Sequence, residues 1–175
     1  MKISLSQGQR LELAVARLIE GREDQLFGKY FPTVGPVLSR YDARPAGSFT
    51  VVSSEGLEEP GFGALFIWPS SATFAQFHQD PEFRALAPLR DEALSLLSNG
   101  HFFAAKDLAV EVPDEDLALQ LVDVGTEIPG TLLSLRAADD SPNDRYAGKA
   151  LVLCTWSDAA TAAKSVASCR IRFNT

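Results

Sequence analysis

An α+β fold built from split strand–helix–strand units is what this sequence predicts, and three observations carry the prediction. Over the first hundred residues the apolar pattern switches between period two and the helical period in the order strand, helix, strand, strand, helix, strand. Cap and turn residues fall at the switches. Finally, "GALFIWPSSATFAQF" (63–77) lines up with "KALVLCTWSDAATAAK" (149–164), give or take one residue. The order is that of the ferredoxin-like βαββαβ unit, an antiparallel four-stranded sheet with both helices on one face. Residues 9–105 make the first such unit, and 106–175 make a degenerate second copy.

"LELAVARLI" (11–19) sets Leu11, Leu13 and Val15 against Glu12, Ala14 and Ala16, the alternation of a half-buried strand. From Arg22 to Tyr41 the apolar residues Phe27, Tyr30, Phe31, Val34, Leu38 and Tyr41 form a helical stripe, which Pro32, Gly35 and Pro36 must bend. "AGSFTVVSSEG" (46–56) and "FGALFIWPS" (62–70) are strands. Ser70 or Ser71 caps the helix "ATFAQFHQ". Asp80 then caps a second helical piece with Pro81 in its first turn, running to about Leu97 and closed by "SNG". "HFFAAKDLAVEV" (101–112) is a strand again.

In the second copy, "GTLLSLRA" (130–137) is a strand and "DDSPND" (139–144) a turn. An apolar strand follows from Lys149, then an Ala-rich helix and a last strand "CRIRFN" (169–174). "PDEDLALQLVDVG" (113–125) reads two ways. Asp114 and Gly125 bracket a helix, which would complete the repeat, while Leu117, Leu119 and Leu121 alternate as in a strand.

The 175 residues are 46% hydrophobic and 22% charged, with a net charge of −7. A real core can form, and nucleic acid and anionic membranes are poor partners for so acidic a chain. No apolar run approaches a membrane span, and the N-terminus lacks a secretory apolar segment. The two cysteines, Cys154 and Cys169, have no metal-ligand spacing, and two are too few for a disulfide framework. A reduced cytoplasmic setting fits them.

"ALFIWPSSATFAQFHQDPEFRALAPLRDEAL" (64–94) resembles the third strand and second helix of the dimeric α/β-barrel superfamily. The likeness is to a small bacterial group of unknown function, carried by Pro81, Glu82, Phe83, Leu86 and Arg90. The His78–Pro81 step is also similar to antibiotic-biosynthesis monooxygenases. At the second strand "RPAGSF" stands where that group has Gly-Gly-Arg. The resemblance implies two sheets packed face to face into a barrel with the helices outside. The partner sheet would come from a second copy of the chain, as a homodimer, or from the second half of the same chain.

His78 and Arg90 are the candidate site residues. His78 ends a helix, where a histidine commonly satisfies the last carbonyls; otherwise it is a proton-carrying group at a pocket rim. Arg90 sits on the apolar stripe Phe83, Leu86, Ala87, Ala93, Leu94, Leu97, where leucine is expected. A guanidinium there must pair internally, with Glu12, Glu55 or Glu58, or hold an anionic ligand. The aromatic stripes read first as core. If the barrel holds a ligand, the cleft between helices and sheet is lined by Tyr30, Tyr41, Trp68, His78 and Arg90. His101 reads as a surface or barrel-end residue. No nucleotide-binding, metal-binding or hydrolase motif is present, so no cofactor and no metal are expected. Two functions fit. One is a cofactor-independent monooxygenase or isomerase of a small aromatic or enolisable substrate, His78 moving the proton and Arg90 holding the anion. The alternative is a non-catalytic ligand-binding or assembly module on the same fold.

Overall fold

Strand β2 (Arg10–Leu18) has two buried faces, and that decides where a site can lie. Leu11, Leu13 and Val15 point into one apolar core, while Glu12 and Ala16, 7% and 4% exposed, face a layer of helices. The computed structural model describes residues 1–56, 58–139, 144–157 and 165–174. Beyond β2 its strands are β1 (Lys2–Leu5), β3 (Arg44–Glu55), β4 (Phe62–Trp68), β5 (Leu94–Phe103), β6 (Leu108–Glu111), β7 (Leu117–Asp123), β8 (Thr131–Ala137), β9 (Lys149–Thr155) and β10 (Ser165–Phe173). A π-helical turn, Asp24–Tyr30, runs into helix α1 (Phe31–Arg40); α2 is Ser71–Gln79 and α3 Pro81–Asp91.

Eight strands close an antiparallel barrel in the order β10-β3-β4-β2-β5-β8-β9-β7. Its interior is filled by alternate side chains from both halves of the chain, among them Leu65, Ile67 and Phe102 with Leu119, Leu135, Leu153 and Ile171. It is a packed core and not a channel. The small β1–β6 sheet adds Ile3 and Leu5 to the same core. The helices pack outside β2, β4 and β5, forming a second apolar cluster with Trp68. Outside β7 and β9 the connection 124–130 takes the place of a helix, and its Ile128 packs on Ala118, Val122, Ala150 and Val152.

Several expectations change. α3 stops at Asp91 rather than near Leu97, because Leu94 is already paired with Leu18 in the β2–β5 ladder. "SNG" is therefore not a helix stop but lies inside β5. Gly100 sits where a Cβ would come within 2.8 Å of the Tyr146 ring. The strand expected over 101–112 is split between β5 and β6. Residues 117–123 form a strand, not a helix: Leu117, Leu119 and Leu121 fill the barrel while Ala118 and Val122 face Ile128. His101 is not at the surface but 2% exposed, with its ring against Phe74. The Ala-rich helix of the second copy and most of the 139–144 turn lie outside the described residues.

Candidate functional site

Small residues on the outer face of the sheet leave a hollow under the helices. Ala14 pairs with Ala64 on one side and Asn99 on the other, with Ala16 beyond. Larger side chains wall this floor: Leu26, Tyr30 and Val34 from the helical segment 24–40, and Phe77 and Phe83 from α2 and α3. The cavity, open at one mouth, is about 100 Å³. Its mouth is apolar, with Phe31 and Leu97 37% and 36% exposed, and Phe27 stacks on Phe31 and Phe62 just outside.

The ionisable groups of this cavity, Glu12, Tyr30 and His78, all feel the charge of Arg90. Glu12, on the central strand, is gripped at both oxygens: Trp68 Nε1 donates to Oε2 at 2.8 Å and Asn99 Nδ2 to Oε1 at 2.6 Å. Burial pushes its carboxyl above the usual range, against the opposing pull of these bonds and of the Arg90 charge. Arg90 lies over the Phe83 ring at 5.7 Å, and its charge bears on the Tyr30 hydroxyl. It also pairs with Asp91, Nε and Nη2 to Oδ1 at 2.8 and 2.7 Å. Burial raises the Tyr30 hydroxyl's pKa, and Arg90 partly offsets this. His78 in the last turn of α2 is held among the rings of Phe74, Phe77 and Phe83, with centroids at 4.2, 5.4 and 5.0 Å. Burial, then the Arg90 charge, lowers its pKa and favours the neutral imidazole.

The cavity thus brings together Tyr30, Trp68, His78 and Arg90. Tyr41 lies outside it, donating its hydroxyl to Asp80 Oδ2 at 2.8 Å. The partner of Arg90 is Asp91 and not Glu55 or Glu58. Strand alternation alone places Glu12 on a solvent face, and it enters the sequence reading only as a possible partner of Arg90. The signal was the small Ala14 and Ala16 beside it, which suit a face covered by helices. Among the described residues no three His, Cys, Asp or Glu side chains are grouped to hold a metal ion, and no helix is long and apolar enough to cross a membrane.

No protein-family model matches the chain, and no curated protein matches it. Solved structures do. An anthrone oxidase-like protein aligns over 100% of this chain and 95% of its own, with a TM-score of 0.61 at 12% identity. A candidate monooxygenase from Lactobacillus acidophilus NCFM aligns over 97% of this chain and 95% of its own, with a TM-score of 0.51 at 7% identity. A protein of unknown function from Rhodopseudomonas palustris, RPA0582, covers 59% of this chain and 86% of its own at 18% identity and a TM-score of 0.49. The chain therefore shares its fold, a closed antiparallel barrel with helices outside, with the first two of these proteins, in keeping with the α/β-barrel likeness of residues 64–94; at these identities the likeness speaks for fold alone.

Proposed function

We propose that the chain binds a small aromatic molecule carrying an acidic O–H or an enolisable C–H in the cavity between helices and sheet, and converts it without a cofactor. What carries this reading is the gathering of Tyr30, His78 and Glu12 within reach of the Arg90 charge in a mostly apolar cavity of about 100 Å³. A cavity of roughly 150 Å³ lined by apolar side chains accepts benzene; this one, at about 100 Å³, is smaller, so a ring seated here extends towards the Phe31–Leu97 mouth. Arg90 holds the ligand oxygen, and the aromatic walls hold its ring. His78 and Glu12 are the two groups able to carry a proton.

Loss of that proton leaves a carbanion or enolate. In an isomerase it is reprotonated elsewhere. In an oxygenase of the kind named among the structural neighbours it reduces dioxygen directly: a CH₂ becomes C=O, the second oxygen atom leaves as water, and the ligand supplies the electrons. The Arg90–Asp91 ion pair favours the second reading, a binding module whose arginine is already neutralised. Within either reading the tandem of ferredoxin-like halves completes the barrel in one chain, so the protein is its own pseudo-dimer.

Calorimetric titration with phenol and phenylacetone tests the site. Both should bind, and Arg90→Met should weaken phenol binding about 10-fold or more, the worth of a charged hydrogen bond. Ala14→Leu, which fills the floor, should abolish it. Binding unaffected by either substitution would move the site elsewhere. An oxygen electrode then separates oxygenase from isomerase, and absence of any turnover leaves the binding module.

A further inference from the structure

We propose that Glu12, rather than His78, accepts the ligand's proton, while Arg90 and Tyr30 hold the oxyanion that forms. The inference rests on the binding reading above and deepens it. In the step, the ligand's C–H or O–H bond breaks, its electron pair stays on the ligand as enolate or phenolate, and an O–H bond forms on Glu12.

Three observations select Glu12. First, it is fixed. Trp68 Nε1 and Asn99 Nδ2 clamp one lone pair on each oxygen at 2.8 and 2.6 Å, on the central strand of the sheet, which leaves further lone pairs for a ligand. A base needs such orientation within hydrogen-bond reach. His78 stands instead in a ring stack near the end of α2.

Second, the charges balance. Before transfer two carboxylates bear on Arg90, Glu12 within the cavity and Asp91 beside it. Afterwards Glu12 is neutral and the ligand's oxyanion takes its place beside the guanidinium. The negative charge moves without a new one being created. With His78 as base, an imidazolium would form near Arg90, and the ligand anion would form beside a still-charged Glu12. Both are repulsions in a site sheltered from water.

Third, the conjugate acid suits its surroundings. A buried carboxyl favours its neutral form, the state the reaction produces, and burial leads the causes that raise the Glu12 pKa. The groups facing Glu12 from the neighbouring elements are Trp68 on β4, Asn99 and His101 on β5, Arg90 with its Asp91 on α3, Tyr30 before α1 and His78 on α2.

The test uses the full chain and phenylacetone in D₂O, following loss of the benzylic proton signal by NMR. Wild type should exchange faster than buffer, with a rate that rises with pH through one group. Glu12→Gln should still bind the probe yet exchange at least about 100-fold more slowly, the usual worth of a positioned base, and the pH inflection should vanish. Glu12→Asp keeps a carboxylate and should retain measurable exchange, which decides the matter should the glutamine variant not fold. Equal exchange in wild type and Glu12→Gln overturns the assignment, as does an inflection that disappears in His78→Asn but survives in Glu12→Gln. Tight binding with no exchange above buffer overturns it too while leaving the binding reading intact. If no probe binds, both fall together.

Discussion

Glu12 is placed where its charge is costly, and the cost has a measurable sign. Its folded pKa lies above its ordinary value of 4.5, chiefly through burial. The folded state therefore holds the proton more tightly than the unfolded chain. The stabilising contribution is complete below about pH 4.5 and is lost as pH rises through the folded pKa. Glu12→Gln should melt a few degrees higher than wild type at pH 7, with the gap closing towards pH 4, as thermal unfolding across that range would register. A residue that weakens the fold at working pH yet sits in a cavity is what a functional group looks like. Gly63 shows the opposite case. A Cβ there would lie 2.3 Å from Phe49 Cζ and 2.7 Å from the Ala14 carbonyl oxygen. Gly63→Ala should thus cost about 1–3 kcal/mol by overpacking the barrel, read from denaturant melts. Sequence reading reached Arg90, because one cation on an apolar stripe stands out. It reached Glu12 only as a possible partner of Arg90, because a charged residue in an alternating strand looks solvated until something is known to cover it.

At the level of elements, the Asp80–Pro81 step is both the most legible feature and a strong local determinant. Asp80 Oδ1 accepts from the backbone N–H groups of Glu82 and Phe83, starting α3. Its other oxygen accepts from Tyr41 at 2.8 Å and Arg40 at 2.9 Å, tying α1 to the same point. The Tyr41 hydroxyl, then Arg40 and the two backbone donors, hold its pKa down to about 2. A depressed carboxylate pKa stabilises above the unfolded value near 3.8, and that stability is lost as pH falls towards 2. Asp80→Asn should lower the thermal midpoint at pH 7 by several degrees, and the difference should fade between about pH 4 and 2. Such capping chemistry is local, so four residues suffice to see it. The end of α3 and the nature of 113–125 were hidden for the converse reason. Leu94 and Leu97 continue a helical period, but their fate is set by Leu18 and Ala16, eighty residues away in the chain. Leu117–Asp123 is buried on both faces between β9 and β10, so the alternation of Leu117, Leu119 and Leu121 competes with the helix bracket of Asp114 and Gly125, and only pairing with distant strands decides between them.

At the scale of the whole molecule, the question is what covers the inner face of the first four strands. In this chain β7–β10 cover it, joined to the first half at the β3–β10 and β5–β8 seams. Leu11, Leu13, Val15, Phe49, Leu65, Ile67 and Phe102 are all at most 3% exposed in that arrangement. Baring them would forfeit roughly 10–20 kcal/mol at about 1.5–3 kcal/mol per fully buried side chain, as much as a domain's entire stability. Two consequences follow for native mass spectrometry. The full chain should run as a monomer near 18.9 kDa, since its barrel needs no second copy. A fragment of residues 1–112 should not stay monomeric; it should pair with itself through the bared face or precipitate. A full-length dimer alongside a stable monomeric fragment would mean that the halves are independent and that the seams contribute little. A monomeric full chain with a self-associating fragment would mean that the second half does the work of a partner subunit. It would then be retained for closing the core, while α1–α3, the cavity and its ionisable groups belong to the first half.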